Sequence, residues 1–417
     1  MLNRQVAPAF HEPSYLALPE PLVKYVGDIP VYFVQGVQQR VLKLELIFDA
    51  GRTFEHKAGT SHFAWQMLSK GTAGKTATEV AEIFDRLGAH VETTTGQDYS
   101  TLALYALTKN WKEALNLFLE IATQPAFPED ELALLKALSI DQLRVNLEKT
   151  SFVASRRFRE NIFGADHPYG KSLNETEINS IVTADLTAFF KAVGRPLVIY
   201  VTAQLDETEQ KNFLSQLPFK NRFTETVVTA SAHLPEASIA IDKKGSVQTS
   251  LRLGKKSLVR SDAQYPDLLF LTHVLGGYFG SRLMKNIREE KGLTYGIYAA
   301  LQPFKHEGIF VIGADVNKEN TVLAIEEIRK ELKMLRTAEI QPDELRAARG
   351  HFLGSLQAEV ANPFAVTEKI KNIHLHNLPA DYYKTLFERV QQLTPHDLMQ
   401  TAATYLHEDS LNVVTVG

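Results

Sequence analysis

Two stretches of the 417-residue chain place chemically useful side chains at regular spacing. The first is Gly59-Thr60-Ser61-His62-Phe63-Ala64-Trp65-Gln66-Met67-Leu68-Ser69-Lys70-Gly71. Phe63, Met67 and Leu68 recur at helical spacing and Gly71 is a stop signal, so a short helix is expected with His62 near its start. Positions three and four residues later share the His62 face. A zinc-hydrolysis helix would carry a carboxylate and a second imidazole there, because catalytic zinc needs three protein ligands, an open position for water and a base for the proton. This chain has Trp65 and Gln66 instead. The stretch keeps the frame of a catalytic helix and lacks its chemistry.

The second stretch runs from Gly276-Gly277-Tyr278-Phe279-Gly280-Ser281 through Arg288 to Gly292-Leu293-Thr294-Tyr295-Gly296-Ile297-Tyr298. Ser281 or a neighbour is expected to cap a helix, with Leu283, Met284 and Ile287 facing inward and Gly292 ending it. On the plainest reading, Arg288 complements the helix C-terminus and Tyr295, on the strand that follows, is a core residue. The spacing of Gly276-Gly277 fits neither nucleotide-binding fingerprint. His374 and His376, two apart on an expected helix, point to different faces and make no metal pair.

The residues around His62 resemble the signature helix of the pitrilysin (insulysin, mitochondrial processing peptidase) family of zinc peptidases, which carries His-x-x-Glu-His. Its usual context, Gly-Thr-Ala-His-Phe-Leu-Glu-His-Met-Leu-Phe-Lys-Gly-Thr, is matched at Gly59, Thr60, His62, Phe63, Met67, Leu68, Lys70, Gly71 and Thr72. The family's water-activating glutamate falls on Trp65 and its second histidine ligand on Gln66. Its third ligand, a glutamate on a long downstream helix, falls at or beside Gln142, with Asp141 the nearby acid. No zinc is therefore expected at the degenerate positions His62, Trp65, Gln66 and Gln142.

The resemblance also covers the second stretch. The family places an arginine and a tyrosine seven residues apart in its second domain, where they hold substrate and help stabilise the reacting carbonyl; Arg288 and Tyr295 have that spacing. Both side chains donate hydrogen bonds, which suits developing oxyanion charge.

Composition restricts the alternatives. The chain is 44% hydrophobic and 23% charged, ordinary for a globular protein, and is long enough for two or three domains. Its 45 basic and 49 acidic residues leave a net charge of -4, with no basic footprint for nucleic acid and no strong pull to an anionic membrane. Without cysteine there are no disulfides and no thiolate metal ligands. No apolar run approaches membrane-spanning length, and Met1 to Phe10 has no apolar core of signal-peptide length, so the cytoplasm is the expected compartment.

Residues 1 to about 28 read as an extended lead-in, followed by strands at Ile29–Gln35 and Val41–Phe48. A helix over Thr78–Leu87, capped by Thr76 or Thr78 and stopped by Gly88, precedes a hairpin of Ala89–Thr94 and Ser100–Leu107. In the family, the first strand of that hairpin is the sheet edge to which a peptide substrate adds, which makes Thr93 and Thr94 candidate substrate-binding residues; strand propensity alone also explains them. An amphipathic helix follows over Lys109–Thr123, then a long one from Pro128 toward Gly164, on which Arg156, Arg157 and Arg159 read as a solvated face. A helix over Asp185–Val193 and a buried strand at Leu197–Val201 close the first half.

The second half replays the first. Asp343 answers Asp130, Asp397 answers Asp185 and Leu411 answers Leu197, at offsets of 213, 212 and 214 residues. So constant an offset across separate elements indicates two copies of one domain. The expected fold is α+β, two tandem homologous domains, each a mainly antiparallel β-sheet packed with α-helices: residues 1–220, a Thr/Ser/Ala-rich linker at 221–235, and residues 236–417.

For function, the resemblance implies the zinc-lacking subunit of a two-chain peptidase. The chain itself needs no cofactor; zinc is expected in a homologous partner subunit, and the substrate is an unfolded peptide. The rival readings are a structural homologue, a homodimeric peptide-binding protein and an independently active zinc peptidase; Trp65 and Gln66 argue against the last.

Overall fold

A computed structural model describes Leu16 and residues 18–220 and 233–417. Most of the expected linker lies outside the described residues. The chain packs as two compact units, one built on Glu20–Ser246 with Asn362–Glu368 and Asn412–Gly417, the other on Val247–Ala361 and Lys369–Leu411.

The first unit opens with strands β1 (Leu22–Val26), β2 (Ile29–Val34) and β3 (Val41–Phe48). Where only an extended lead-in was expected, β1 pairs antiparallel with β2 through a tight turn at Gly27, whose φ of +62° is the left-handed conformation that favours glycine. Its sequence conceals it: Leu22, Val23 and Tyr25 are exposed, so β1 lacks the buried alternation that betrays a strand. Helix α1 (Thr60–Met67) carries His62. The short pair β4 (Gly71–Thr72) and β5 (Lys75–Thr76) leads to α2 (Ala77–Leu87), capped by a reciprocal Thr76–Glu79 box. Then come β6 (His90–Thr95), β7 (Ser100–Leu107), α3 (Trp111–Thr123), α4 (Glu129–Leu147), α5 (Thr150–Phe163), α6 (Glu175–Ser180), α7 (Thr183–Val193), β8 (Val198–Thr202) and α8 (Glu207–Gln216). The long helix expected after Pro128 breaks at Glu148-Lys149, between α4 and α5.

Six of these strands form one sheet in the order β1-β2-β8-β3-β7-β6, antiparallel except for β2 with β8. The central strand β3 is buried almost end to end. Its Phe48 packs with α1, α3 and α7 over one continuous core that includes Phe63, Trp65 and Phe118. The hairpin's first strand, β6, lies at the edge, with exposed and half-buried residues alternating along it. Strand β9 (Ser238–Ile241) pairs in parallel with the C-terminal strand Asn412–Val416.

The second unit contains β10 (Gln248–Ser257), α9 (Tyr265–Gly276), a π-helical turn over Met284–Glu290, β11 (Thr294–Pro303), β12 (Gly308–Asn317), α10 (Thr321–Thr337), α11 (Pro342–Ala358), most of α12 (Pro363–Leu375), α13 (Tyr382–Gln392) and α14 (Pro395–Tyr405). Strand β12 pairs antiparallel with both β10 and β11. The repeat is visible in these elements. Helix α11 stands where α4 does, α14 opens on a Thr394–Asp397 capping box where α7 uses Asp185, and Asn412–Val416, β13, answers β8. Among the described residues no helix is long and apolar enough to cross a membrane.

Candidate functional site

Helix α1 begins at Gly59, whose φ of +88° is left-handed and whose Cα abuts Ile181 and Leu173 closely enough that a Cβ would come within 2.9 Å of Ile181. The helix N-terminus is held by Glu55, whose two carboxylate oxygens accept from Gly59 N–H (3.0 Å) and Ser61 N–H (2.8 Å). Burial raises the Glu55 pKa and these amide donors oppose it. Ser61 and Ser100 hydroxyls both donate to the carbonyl of Ala50, at 2.5 and 2.8 Å, tying α1 to the end of β3 and the start of β7.

His62 is half-buried, and its pKa is lowered first by burial and then by Arg52. It lines an open groove of about 410 Å³ together with Arg52, Phe63, Leu138, Gln142 and Asn146. His62 and Gln142, paired only through the resemblance, therefore meet in one groove. The other two positions do not join them. Trp65 has 0% exposure and packs edge-on to Phe48 and Phe189 and tilted on Phe190 (centroids 5.2 to 6.1 Å), with its indole N–H buried and unpartnered. Gln66 is half-buried and does not line the groove. Asp141 is exposed and faces Arg144 at 3.6 Å.

This donor set does not fit zinc. One imidazole and two neutral amides line the groove with a guanidinium, and no three His, Asp or Glu side chains converge among the described residues. A soft dication gains nothing from Arg52 beside it.

The arginines of α5 depart from the solvated face expected of them. Only Arg157 is exposed. Arg156 is half-buried and donates to the carbonyls of Leu173 (2.9 Å) and Ser172 (3.3 Å) and to Glu160. Arg159 is half-buried with its Nε sealed from solvent and unpartnered. Sequence reasoning passed over Arg52, which sits in no recognisable spacing, and read Arg159 only as part of a solvated face.

In the second unit, the expected inward residues Leu283, Met284 and Ile287 are buried and Gly292 ends the turn at φ +62°. Two details differ from expectation. The segment Met284–Glu290 is π-helical, a widened turn that recurs at functional sites. Ser281 is no side-chain cap: its hydroxyl is buried without a partner. Asn286 pins the turn to α10 by donating to Glu331 (2.7 Å) and Glu327 (3.0 Å).

Tyr295 is no core residue. The β11–β12 register slips between Thr294 and Ile297, so Tyr295 and Gly296 together oppose Asp315 in a bulge. Thr294 Oγ1 locks it by donating to the Asp315 carbonyl (2.7 Å) and accepting from Gly296 N–H (3.2 Å). The phenol is thrown outward, 93% exposed. Arg288 is half-buried with its guanidinium 4.7 Å from the centroid of Phe279, itself 61% exposed. Phe279, Gly296, Asp315 and Arg252 line an open groove of about 520 Å³. Thr93 and Thr94 sit on edge strand β6, opposite Leu102 and Thr101. His374 and His376 both have pKa values lowered by burial, His376 to about 4 with Arg260 and Lys305 contributing.

Comparison with known proteins accounts for this arrangement. Residues 33–176 match the family described as insulinase (peptidase family M16), and residues 181–351 match the peptidase M16 inactive domain. The chain belongs to the M16 (insulinase/pitrilysin-like) family and consists of two M16-type domains; its membership of the inactive-domain family is consistent with a non-catalytic homologue. It is 25% identical over 373 residues to an uncharacterized zinc protease of Rickettsia bellii, covering 86% of this chain and 88% of that protein. An uncharacterized zinc protease of Bacillus subtilis is also 25% identical, over 82% of this chain and 83% of its own. Among solved structures, a peptidase M16 inactive domain from Pseudomonas fluorescens superposes with a TM-score of 0.84 at 26% identity, covering 95% of this chain and 98% of that one. A Helicobacter pylori protease has the same fold, with a TM-score of 0.84 at 18% identity over 96% of this chain and 100% of its own.

Proposed function

We propose that this chain is the zinc-lacking subunit of a two-chain M16 peptidase, active in the cytoplasm only beside a homologous zinc-bearing partner. Its domains are taken as residues 1–220 and 236–417 with a linker at 221–235. Arg288 and Tyr295 donate hydrogen bonds to the carbonyl of an unfolded peptide held at the partner's zinc, and the main chain at Thr93 and Thr94 pairs with that peptide as an added strand. The observation that carries this reading is Tyr295. A phenol 93% exposed on a locked bulge does nothing for the core, yet its neighbours hold it in place.

The test is peptide cleavage by the mixed subunits. Arg288→Ala and Tyr295→Phe should each lower turnover by an amount corresponding to roughly 2–4 kcal/mol of transition-state stabilisation, with assembly on size exclusion unchanged. The chain alone should hydrolyse no peptide in a chelator-sensitive way. One observation favours a second reading, a scaffold homologue without a catalytic role: the stacking of Arg288 on Phe279 gives the arginine a structural use. If both variants assemble and cleave like the parent, that reading replaces the first.

A further inference from the structure

Arg52, on the turn Arg52–Phe54, is half-buried and lines both the open groove beside His62 and an adjoining pocket of about 140 Å³. Its guanidinium has no hydrogen-bond or ion-pair partner among the described residues. Glu55, in electrostatic range, has both oxygens committed to the amides of Gly59 and Ser61. Asp166 and Lys171 also line the small pocket, and Lys171 reaches toward Glu177 at 4.0 Å. Among the described residues Arg159 is likewise without an ion-pair partner, with Glu160 in electrostatic range, and after burial Arg52 is the largest influence lowering its pKa.

Three other half-buried arginines are held by carboxylates. Arg282 forks onto Glu344 at 2.7 and 2.9 Å, Arg336 onto Glu408 at 2.7 and 2.8 Å, and Arg156 is bound to Glu160 and two carbonyls. Taking a guanidinium out of water without a close ion-pair partner is costly, and a second guanidinium within electrostatic range adds to the cost. Such a pair creates a focused positive potential that an anion relieves.

The remaining walls describe the rest of the ligand. Gln142 and Asn146 contribute amides to the lining, while Leu138, Leu143 and Ile178 make an apolar side. Leu138 is 59% exposed, an uncovered apolar surface at the groove. We infer that this groove binds an apolar carboxylate, such as the C-terminal residue of a peptide with a large aliphatic side chain, anchored by Arg52 and supported by the positive field of Arg159. The site that would hold a cation in a zinc peptidase is, in this chain, built for an anion. This inference is independent of Arg288 and Tyr295, which belong to the other unit.

Titration calorimetry on the intact chain tests it with four probes: N-acetyl-leucine, N-acetyl-leucinamide, acetyl-Ala-Ala-Leu with a free C-terminus, and inorganic phosphate. The acid should bind at least about tenfold more tightly than the amide, a loss typical of removing one charge-assisted partner, and should weaken as salt rises. Tighter binding of the tripeptide identifies a peptide C-terminus as the ligand; equal binding identifies a free apolar acid. Arg52→Gln should erase the preference for acid over amide, and Leu138→Asp, at an exposed position, should weaken the acid severalfold. Because Arg52 is unpaired, Arg52→Gln should leave the unliganded melting temperature unchanged or raise it. The inference is overturned if acid and amide bind alike, if phosphate binds as tightly as the acid, or if Arg52→Gln melts markedly lower or fails to fold.

Discussion

The turn around His62 and the turn around Arg288 are the two places where family chemistry is expected, and the chain treats them oppositely. At His62 the backbone frame survives: Gly59 keeps its left-handed start, Ser61 and Glu55 anchor the first turn, and Phe63 and Met67 remain in the core. The side chain at the position of the catalytic base has been absorbed into that core as Trp65. At Arg288 the backbone is irregular, a π-helical turn followed by a bulge, and the irregularity aims side chains outward. Regular structure holds the helix whose motif positions carry Trp65 and Gln66, and irregular structure holds the exposed Tyr295. A helix can exchange its functional residues for packing without changing shape, whereas a bulge serves no packing purpose once the residue it re-aims is idle.

The most severe way to challenge this contrast is to restore the motif. Trp65→Glu with Gln66→His recreates His-x-x-Glu-His in the sequence, but Trp65 is walled in by Phe48, Phe189 and Phe190. Replacing a buried indole with a carboxylate combines the loss of a large aromatic with an unpaired buried charge, so chemical denaturation should show a loss of more than about 4 kcal/mol. Metal analysis should find no stoichiometric zinc in either the parent or this variant. A stable double variant with one tightly bound zinc, lost on His62→Ala, would mean the helix had only changed its side chains and not its surroundings.

A smaller effect is a pH dependence in the second unit. His273 on α9 stacks on Tyr278 and His351 and contacts His351 at 3.2 Å; burial, then the neighbouring His351, lowers its pKa to about 4. The folded state thus resists a proton that the unfolded chain accepts near the ordinary histidine value of about 6.5. Stability is fully present above about pH 6.5 and is lost as the pH falls toward about 4, by roughly 2 kcal/mol allowing for the coupling to His351. Urea midpoints measured across that window should fall in the parent and fall less in His273→Phe. An equal decline in both would assign the acid sensitivity elsewhere.

The smallest expected effect sharpens the comparison most. Tyr295→Phe should change unfolding free energy by less than about 0.5 kcal/mol, because the hydroxyl has no partner among the described residues and the ring is exposed. A loss above about 1 kcal/mol would show that the phenol is structural and remove the reason for reading the bulge as an aiming device.

The sequence by itself determined the family and the two-copy architecture, and it places Trp65 and Gln66 where the family motif has glutamate and histidine. Each rests on residue types at fixed spacing: Gly59, His62, Phe63 and Met67 around one helix, and a near-constant offset between Asp130 and Asp343, Asp185 and Asp397. Local periodicity also located the hairpin and the capped helices, because caps, stops and alternation act over a few residues. It missed β1, whose apolar residues face solvent and whose strand character comes from pairing with β2.

Tertiary structure alone decided where the critical side chains point. Nothing in the run Thr294-Tyr295-Gly296 reveals that Tyr295 is exposed; that follows from the register slip against Asp315, a residue twenty positions away. Nothing near Arg52 reveals that it has no ion-pair partner among the described residues, or that Arg159 on α5 lies within its field while Gln142 on α4 shares its groove with His62. Spacing along a chain specifies which face of an element a residue occupies. Exposure, charge pairing and convergence depend on what other elements bring to that face, and only the folded chain supplies them.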